Sequence, residues 1–348
     1  MYKKIEIRNL RAITKLEIDN LGQINLFVGN NNCGKTTVLE ALFFLIGATN
    51  PQLPITVNTF RGLPFLSSTL WMTFFNNLQY TNPIEILGLI SDSSNEQKLL
   101  IHPHYKKATV KEELEVSTVS FRGDSKPIAE IDGLELTYTE TENPGREDVS
   151  RIFLKNNELV SEGVKGGPVR GIFVSPLTEF SWKDRFDSIQ QRKKVSDVIN
   201  AVRKIEPKIS DLRLNAVGLL VGDIGLSNLI PVNLFGGGTA RFLSIALAMV
   251  DTPKGIVLID ELDDGLHHSA QENVWKAIFD WAQTLDVQVF ATTHSYECIK
   301  AFRACAGESL FSEKAKLFRI EREVDKFRTI EFMPDEITRF FENMWEIR

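Results

Sequence analysis

Short apolar runs that stop at small or polar residues predict the core of this chain. Ile24–Val28 and Ile256–Ile259 are almost wholly apolar. Runs of this kind are typical of parallel strands that are buried on both faces. Another strand is predicted from Gln288 up to His294, and helices are predicted at Val38–Ile46 and Gln271–Leu285. Strands that alternate with helices predict an α/β fold in which helices flank a mixed sheet.

Residues 49–169 show a different pattern. Short stretches alternate apolar and polar side chains between turns of Ser, Asn, Gly and Pro, and no heptads run through them. This pattern predicts a β-rich lobe at 49–169, inserted into a core made of 1–48 and 170–348. The predicted strands of the lobe are Ile84–Ile90, Lys98–His102, Ile131–Thr139 and Arg151–Leu154, and Thr59–Phe65 is predicted as an irregular loop. The elements predicted after the lobe are one or two helices in Asp184–Lys204, helices at Phe242–Val250 and Glu336–Trp345, and strands at Asp211–Val217, Ala315–Ile320 and Phe327–Phe332.

Length and composition favour a large globular protein. The chain has 348 residues, of which 43% are hydrophobic, so a sizeable core is available. No uncharged apolar run reaches the length of a membrane span, and Met1–Glu6 alternates like a strand and has no apolar leader. Cys33, Cys298 and Cys305 show neither metal-site spacing nor a disulfide pattern. We therefore expect a cytoplasmic protein with no membrane partner.

The net charge of −6 argues against a protein that coats nucleic acid through bulk electrostatics. A local basic track runs through Gln190–Lys194 and continues at Arg203 and Lys204. It has two interpretations, a contact with DNA or an ordinary solvated helix face.

The sequence Gly29-Asn30-Asn31-Asn32-Cys33-Gly34-Lys35-Thr36-Thr37 matches the phosphate-loop pattern G-x-x-x-x-G-K-[ST]. It follows a predicted strand and opens a predicted helix, where backbone N–H groups and the positive helix end form a nest for a triphosphate. We expect Lys35 to reach the β- and γ-phosphates and the Thr36 hydroxyl to bind Mg²⁺. The alternative is a glycine-containing strand–helix turn. Cys33 is either a small residue tolerated in the loop or a thiol whose oxidation blocks the nucleotide.

Two acids and a histidine complete the predicted catalytic set. Asp260 and Glu261 end a buried strand, and His294 ends another about thirty residues later. We expect Asp260 to hold Mg²⁺ through water and Glu261 to accept a proton from the attacking water. His294 is placed to hydrogen-bond a γ-phosphate or that water. The alternatives are two solvated acids at a strand turn and a structural histidine.

A second glycine-rich loop, Gly236-Gly237-Gly238-Thr239, opens a predicted helix and is another candidate anion site. The chain already has one complete phosphate loop. We therefore interpret the second loop as a site that acts in trans, on nucleotide held by another subunit. The alternative is a flexible connection before a core helix.

Taken together, these segments resemble the ABC-type ATPase heads of the SMC/RecF group, and especially the ATPase domain of OLD-like proteins. The opening Ile5–Ile13 is similar to the first strand and turn of that group, and the resemblance implies that Arg11 leans over the phosphates. It also implies that Gly236–Arg241 is the signature loop G-x-G-T-x-R, that Asp263–His267 lines the subunit interface, and that ATP and Mg²⁺ are bound by a homodimer or larger homo-oligomer. The nucleotide-binding residues that it implies are Arg11, Asn30, Asn31, Gly34, Lys35, Thr36, Thr37, Gly236, Gly237, Gly238 and Thr239.

The chain departs from the wider group in its signature loop, because Leu234-Phe235-Gly236-Gly237 stands where Leu-Ser-Gly-Gly is common. Thr239 or backbone N–H groups are the candidate substitutes for the missing serine. No Q-loop glutamine is identified, although Phe74–Asn77 occupies about the right place. OLD proteins carry a C-terminal Toprim nuclease, for which residues 295–348 leave no room. We therefore expect a separate effector protein.

Three functions are compatible with this reading. The first is an ATPase that dimerises head to tail around ATP, as the sensor of a prokaryotic anti-phage or DNA-linked system. The second is a nucleotide-gated scaffold that holds an effector with little turnover. The third, a transporter's ATPase subunit, fits less well because the lobe is β-rich and the signature loop is degenerate.

Overall fold

A six-stranded mixed sheet forms the centre of the fold in the computed structural model. The structure describes residues 1–63, 68–90, 95–106, 131–156, 158–163, 166–176, 182–308, 314–324 and 326–332. In spatial order the strands of this sheet are β16 (Lys326–Phe332), β15 (Ala315–Glu323), β3 (Ile24–Val28), β14 (Gln288–Thr292), β13 (Ile256–Ile259) and β9 (Gly171–Val174). All neighbours are parallel except β15 and β16, which form an antiparallel hairpin. The carboxyl ends of β3, β13 and β14 therefore meet at one edge. In open parallel sheets, ligands bind at the edge formed by the carboxyl ends of the strands.

A seven-stranded antiparallel sheet lies beside it. Its strands, in spatial order, are β2 (Ile13–Ile18), β1 (Tyr2–Leu10), β4 (Ile84–Ile90), β5 (Glu96–Tyr105), β6 (Ile131–Glu140), β7 (Glu147–Lys155) and β8 (Glu158–Glu162). The pairing of β1 with β4 joins the N-terminal strands to the 49–169 segment. That segment is β-rich as expected, and it continues a sheet that the N-terminus begins. The division into core and lobe stays a prediction.

Helix α1 (Lys35–Ile46) lies between the two sheets. Its apolar side chains are buried on nearly all sides, with Phe43 partly exposed, which fits its almost continuous apolar sequence. Glu40, in the middle of the helix, is also fully buried, although its side chain is a carboxylate. A buried charge of this kind requires partners.

The other face of the six-stranded sheet is covered by helices. They are α4 (Lys183–Gln191), α5 (Val195–Val202), α6 (Gly237–Asp251), α7 (His268–Thr284) and α8 (Tyr296–Glu308), and the short helices α2 (Leu53–Phe60) and α3 (Ser68–Met72) lie near α1. A small three-stranded sheet of β10 (Asp211–Leu214), β11 (Leu220–Asp223) and β12 (Ile230–Pro231) precedes α6. Within the described ranges, no helix is long and apolar enough to cross a membrane.

Most predicted elements are confirmed, several with the same bounds. Ile84–Ile90 is β4, and Ile24–Val28 is β3. The prediction of an irregular loop at Thr59–Phe65 was wrong at its start, because α2 continues to Phe60. Helix α6 begins five residues before the predicted Phe242, so the glycine loop itself forms its first turn. The predicted helix at Glu336–Trp345 lies outside the described residues.

Candidate functional site

The phosphate loop connects β3 to α1 in the predicted way. Gly29 and Gly34 have φ values of 139° and 99°, in the region that favours glycine. A Cβ on Gly29 would lie 2.4 Å from the Ile320 carbonyl oxygen, so no larger residue fits there. Asn30 and Asn31 are exposed at the mouth of the loop, whereas the Thr37 side chain is buried. The loop therefore has the strand–glycine–helix geometry of an anion nest.

Lys35 lies across its own loop. Its ammonium donates to the carbonyl oxygens of Gly29 at 2.8 Å and Asn30 at 3.0 Å. Both contacts are with neutral backbone acceptors, and a phosphate oxygen is a stronger partner for an ammonium group. Lys35 is thus held in the loop and can exchange these carbonyls for an anion.

Thr36 and Asp260 bring the two halves of the chain together. The Thr36 hydroxyl donates to Asp260 Oδ1 at 3.0 Å, and the Thr292 hydroxyl donates to the same oxygen at 2.7 Å. Burial raises the pKa of Asp260, an effect that these two hydrogen bonds oppose. A threonine hydroxyl beside a buried carboxylate is the hard oxygen set that suits Mg²⁺, whose remaining ligands would be phosphate and water. The residues present therefore fit the expected ion.

Glu261 follows β13 directly and is exposed. Partial burial and the neighbouring Asp260 charge raise its pKa, while His294 lowers it. His294 follows β14 and is also exposed, so both predicted side chains face the same edge of the sheet. A carboxylate with a raised pKa is a better proton acceptor than an ordinary glutamate. The structure brings together Thr36, Asp260, Glu261 and His294.

Arg11 is held by α1 through a buried cluster. Its guanidinium donates to Glu40 Oε2 at 2.7 Å and to Asn58 Oδ1 at 3.2 Å, and it stacks 4.7 Å from the centre of the Phe74 ring. Arg61 donates to the other Glu40 oxygen at 2.5 Å. Its positive charge also reaches Asp260, where it opposes the rise in pKa. The position of Arg11 over the phosphates stays a prediction.

The signature loop presents backbone and not side chains. Gly236 and Gly237 are exposed, and a Cβ on either would meet no atom within 4 Å. Thr239 is buried, so the backbone N–H groups are better placed than its hydroxyl to replace the missing serine. The Phe235 ring packs on Gly222 of β11, 2.7 Å from where a Cβ would stand. Gly238 lies against the Gly265 carbonyl, so the loop is supported by the Asp263–His267 segment of its own chain.

Three other sequence interpretations can be compared with the structure. Burial raises the pKa of the Cys33 thiol, which favours the structural interpretation over oxidation. In the basic track, Arg192 pairs with Asp251, Lys194 with Asp197, and Lys204 with Asp280, which favours the solvated helix face. The Phe74–Asn77 segment packs against the β1–β2 turn, where the Asn76 amide donates to the Arg11 carbonyl at 2.8 Å.

Sequence reasoning missed Glu40, Arg61 and the role of Arg241. Glu40 carried a usable signal, because a single acid within an apolar helix must meet a buried cation. Arg61 lies in the Thr59–Phe65 segment, for which the sequence predicts only an irregular loop. Arg241 ends the signature-loop motif, and it is buried with its guanidinium on the backbone after β13.

Comparisons with known proteins identify the family of this chain. Residues 24–299 match a family described as "AAA domain, putative AbiEii toxin, Type IV TA system". An ATP/GTP phosphatase of Helicobacter pylori is 23% identical over 377 residues, which cover 99% of this chain and 98% of that protein. An OLD nuclease of Thermus scotoductus is 24% identical over 335 residues, which cover 85% of this chain and 59% of the nuclease.

The fold also resembles a solved structure, an SMC head bound to the C-terminal winged-helix domain of ScpA. The TM-score is 0.51 at 12% identity, and the match covers 97% of this chain and 99% of the other. This likeness concerns the fold alone. The family model spans most of the chain, including the phosphate loop, both acids and His294. The chain therefore belongs to this AAA-domain family, and it is a P-loop ATPase of the ABC/SMC/OLD-like group.

Proposed function

We propose that this chain binds Mg·ATP and hydrolyses it in a dimer in which each phosphate loop faces the signature loop of the other subunit. One observation carries the proposal. The Thr36 hydroxyl of the phosphate loop and the Asp260 carboxylate after β13 are 3.0 Å apart, although 224 residues separate them in sequence. Glu261 follows at the same edge, beside the place where a terminal phosphate would lie.

Each residue has a role that its position supports. Lys35 binds the β- and γ-phosphates, and the N–H groups of Gly34–Thr37 complete the nest. Thr36 and Asp260 would hold Mg²⁺, which supplies charge neutralisation on the phosphates when bound. Glu261 takes the proton of the attacking water, and His294 hydrogen-bonds that water or the γ-phosphate. Such phosphoryl transfer depends mainly on positioning and electrostatics.

The dimer is supported by the exposed signature loop. The first turn of α6 offers the N–H groups of Gly237 and Gly238 and a positive helix end. Because the chain already has a phosphate loop for its own nucleotide, this exposed anion site is best suited to nucleotide that a second copy holds.

The proposed setting is an anti-phage or DNA-linked system of the prokaryotic cytoplasm, with a separate effector protein. The similarity to an OLD nuclease and the toxin–antitoxin description of the family support a defence role. Cys33, Cys298 and Cys305 form no disulfide within the described ranges, as expected of thiols in a reducing compartment. The pairing of basic side chains between residues 192 and 204 gives no support to a DNA contact there.

The test is the mass of the Glu261→Gln variant by light scattering, with and without Mg·ATP. This change should slow hydrolysis by about 10²- to 10⁴-fold while leaving binding intact, so that the ATP-bound dimer accumulates. We expect a species of 39.4 kDa that doubles in mass only with Mg·ATP. The matched control is Glu261→Gln combined with Lys35→Ala, which should not respond to ATP. A wild-type turnover rate in Glu261→Gln would contradict the assignment of Glu261.

A nucleotide-gated scaffold is the second candidate, because Phe235 is buried where the wider group often has a phosphate-binding serine. A weaker contact between this signature loop and nucleotide on the other subunit would favour ATP that stays bound over ATP that is hydrolysed. The scaffold predicts a burst of one ATP per site with negligible steady-state hydrolysis, whereas the ATPase predicts sustained turnover.

A further inference from the structure

The backbone at Glu261 has an unusual conformation. Its φ is 49°, in the left-handed region that residues with a side chain rarely adopt. Outliers of this kind persist only where surrounding contacts hold them. The contacts around Glu261 therefore show what places its carboxylate.

Two residues hold the peptide groups on both sides of Glu261. Its N–H donates to the Thr292 hydroxyl at 2.8 Å, and Leu262 N–H donates to the Thr292 carbonyl at 2.9 Å. The Glu261 carbonyl accepts from Arg241 Nη2 at 3.0 Å, and the same nitrogen donates to the Asp260 carbonyl. The turn is thus fixed by β14 on one side and by α6 on the other.

Burying the Arg241 side chain beside the Glu261 turn has a high free-energy cost. The side chain is 1% exposed, and its guanidinium donates to the backbone carbonyls of Asp260 and Glu261. Burying a guanidinium costs more free energy than burying an apolar side chain of the same size. Packing alone therefore does not explain an arginine here, whereas a long cationic side chain whose terminal nitrogen donates to two successive carbonyls does.

Arg241 also belongs to the helix that carries the signature loop. Helix α6 begins at Gly237, so Arg241 lies about one turn from the exposed glycines. A shift of this helix end would therefore move the donor that holds the Glu261 turn.

We propose that Arg241 is a positioning residue for Glu261 and that it connects the signature loop to the proton-accepting carboxylate. This inference rests on the proposed function, in which Glu261 takes the proton of water. Through Arg241, contact of the signature loop with nucleotide on a second copy sets the orientation of Glu261 in its own subunit.

The test uses Arg241→Lys in the full chain, because lysine keeps the charge but its shorter side chain ends before the position that Nη2 occupies. Displacing the carboxylate should lower kcat by about 10- to 100-fold and leave the KM for Mg·ATP within about twofold. Ser244→Ala is the matched control. Ser244 is buried on the same helix and accepts from the Trp182 indole at 2.7 Å, so its loss perturbs α6 without touching the Glu261 turn. We expect it to keep the wild-type kcat.

A second measurement separates positioning from general damage. If Arg241 acts through Glu261, then Arg241→Lys should add no further loss to the single-turnover rate of Glu261→Gln. The inference is overturned if Arg241→Lys retains wild-type kcat, if its loss is as large in the Glu261→Gln background, or if Ser244→Ala loses as much. It is also overturned if Arg241→Lys and Arg241→Gln both fail to bind a fluorescent ATP analogue, because Arg241 would then be a folding residue. If the wild-type chain does not hydrolyse ATP, both the proposed function and this inference are contradicted. The other outcomes contradict only the inference.

Discussion

The buried cluster around Glu40 allows a quantitative prediction. Glu40 lies in the middle of α1 with its side chain 1% exposed, and its two oxygens bind Arg11 at 2.7 Å and Arg61 at 2.5 Å. One carboxylate therefore serves two cations. We expect Glu40→Gln, which keeps the shape of the side chain and removes its charge, to be strongly destabilising.

The magnitude follows from how deeply each partner is buried. Removing one partner of a buried ion pair costs about 3 to 5 kcal/mol, since it leaves an uncompensated charge. The Arg61 side chain is 33% exposed, so water screens part of its charge, whereas Arg11 is only 11% exposed. We therefore take the lower end, about 3 kcal/mol, for Glu40→Gln. Arg61→Gln leaves the Arg11–Glu40 pair intact and should cost about 1 kcal/mol.

The double variant Glu40→Gln/Arg61→Gln makes the decisive comparison. Because it also removes one of the two unpaired cations, it should be more stable than Glu40→Gln alone. The assay is the free energy of unfolding from urea titrations, followed by tryptophan fluorescence, with melting temperatures as a check. A loss of about 3 kcal/mol corresponds to a fall of roughly 4 °C in a chain of this size. If the two single losses simply add in the double variant, then the charges do not interact and the reasoning is refuted.

Three further predictions concern the site and its loops. Burial raises the pKa of Asp260, so the wild-type chain loses stability as the pH rises from the unfolded value towards the raised one, and the loss persists at neutral pH. Asp260→Asn should therefore melt higher than wild type at pH 7 without ligand, by an amount that shrinks as the pH falls towards the pKa of an unfolded aspartate, and lose the stabilisation by Mg·ATP; a lower melting point at pH 7 would contradict this. Gly238→Ala places a Cβ 3.0 Å from the Gly265 carbonyl and should lower the melting temperature, whereas Gly237→Ala meets open space and should weaken only the ATP-dependent dimer. Cys33 is 3% exposed and its pKa is raised by burial, so a thiol reagent should label it far more slowly than in urea-unfolded chain; equal rates would refute the buried geometry.

Local sequence patterns predicted the parts of the site that are local. The glycines of the phosphate loop are needed by the backbone itself, because Gly29 and Gly34 have positive φ and Gly29 touches the Ile320 carbonyl. The Asp260–Glu261 pair and His294 each end an apolar strand, and parallel pairing of those strands places them at one edge. The spacing of apolar residues and the glycines at the turns were therefore sufficient to predict where these residues lie in the fold.

Contacts between distant segments could not be predicted in the same way. Arg61 follows α2, and only the fold brings it to Glu40 and towards Asp260. The sequence offered Thr239 or backbone N–H groups in place of the signature serine and did not decide between them, whereas the structure shows Thr239 buried and Phe235 covering Gly222 of a strand that was not predicted. The joining of β1 to β4 likewise depends on strand order, which hydrophobic pattern alone does not determine.

Arg11 and Glu261 both have a strained backbone conformation. The contacts that hold each conformation come from elements that are distant in sequence. Arg11 and Glu261 have φ values of 50° and 49°. Left-handed geometry costs a residue with a side chain about 1 to 2 kcal/mol, so neither turn would keep its shape without outside support. Support for Arg11 comes from the 49–169 segment, because its N–H donates to the Phe74 carbonyl at 2.7 Å and its own carbonyl accepts from Asn76. Support for Glu261 comes from α6 and β14. The Arg11 and Glu261 turns are therefore held by elements outside the phosphate loop.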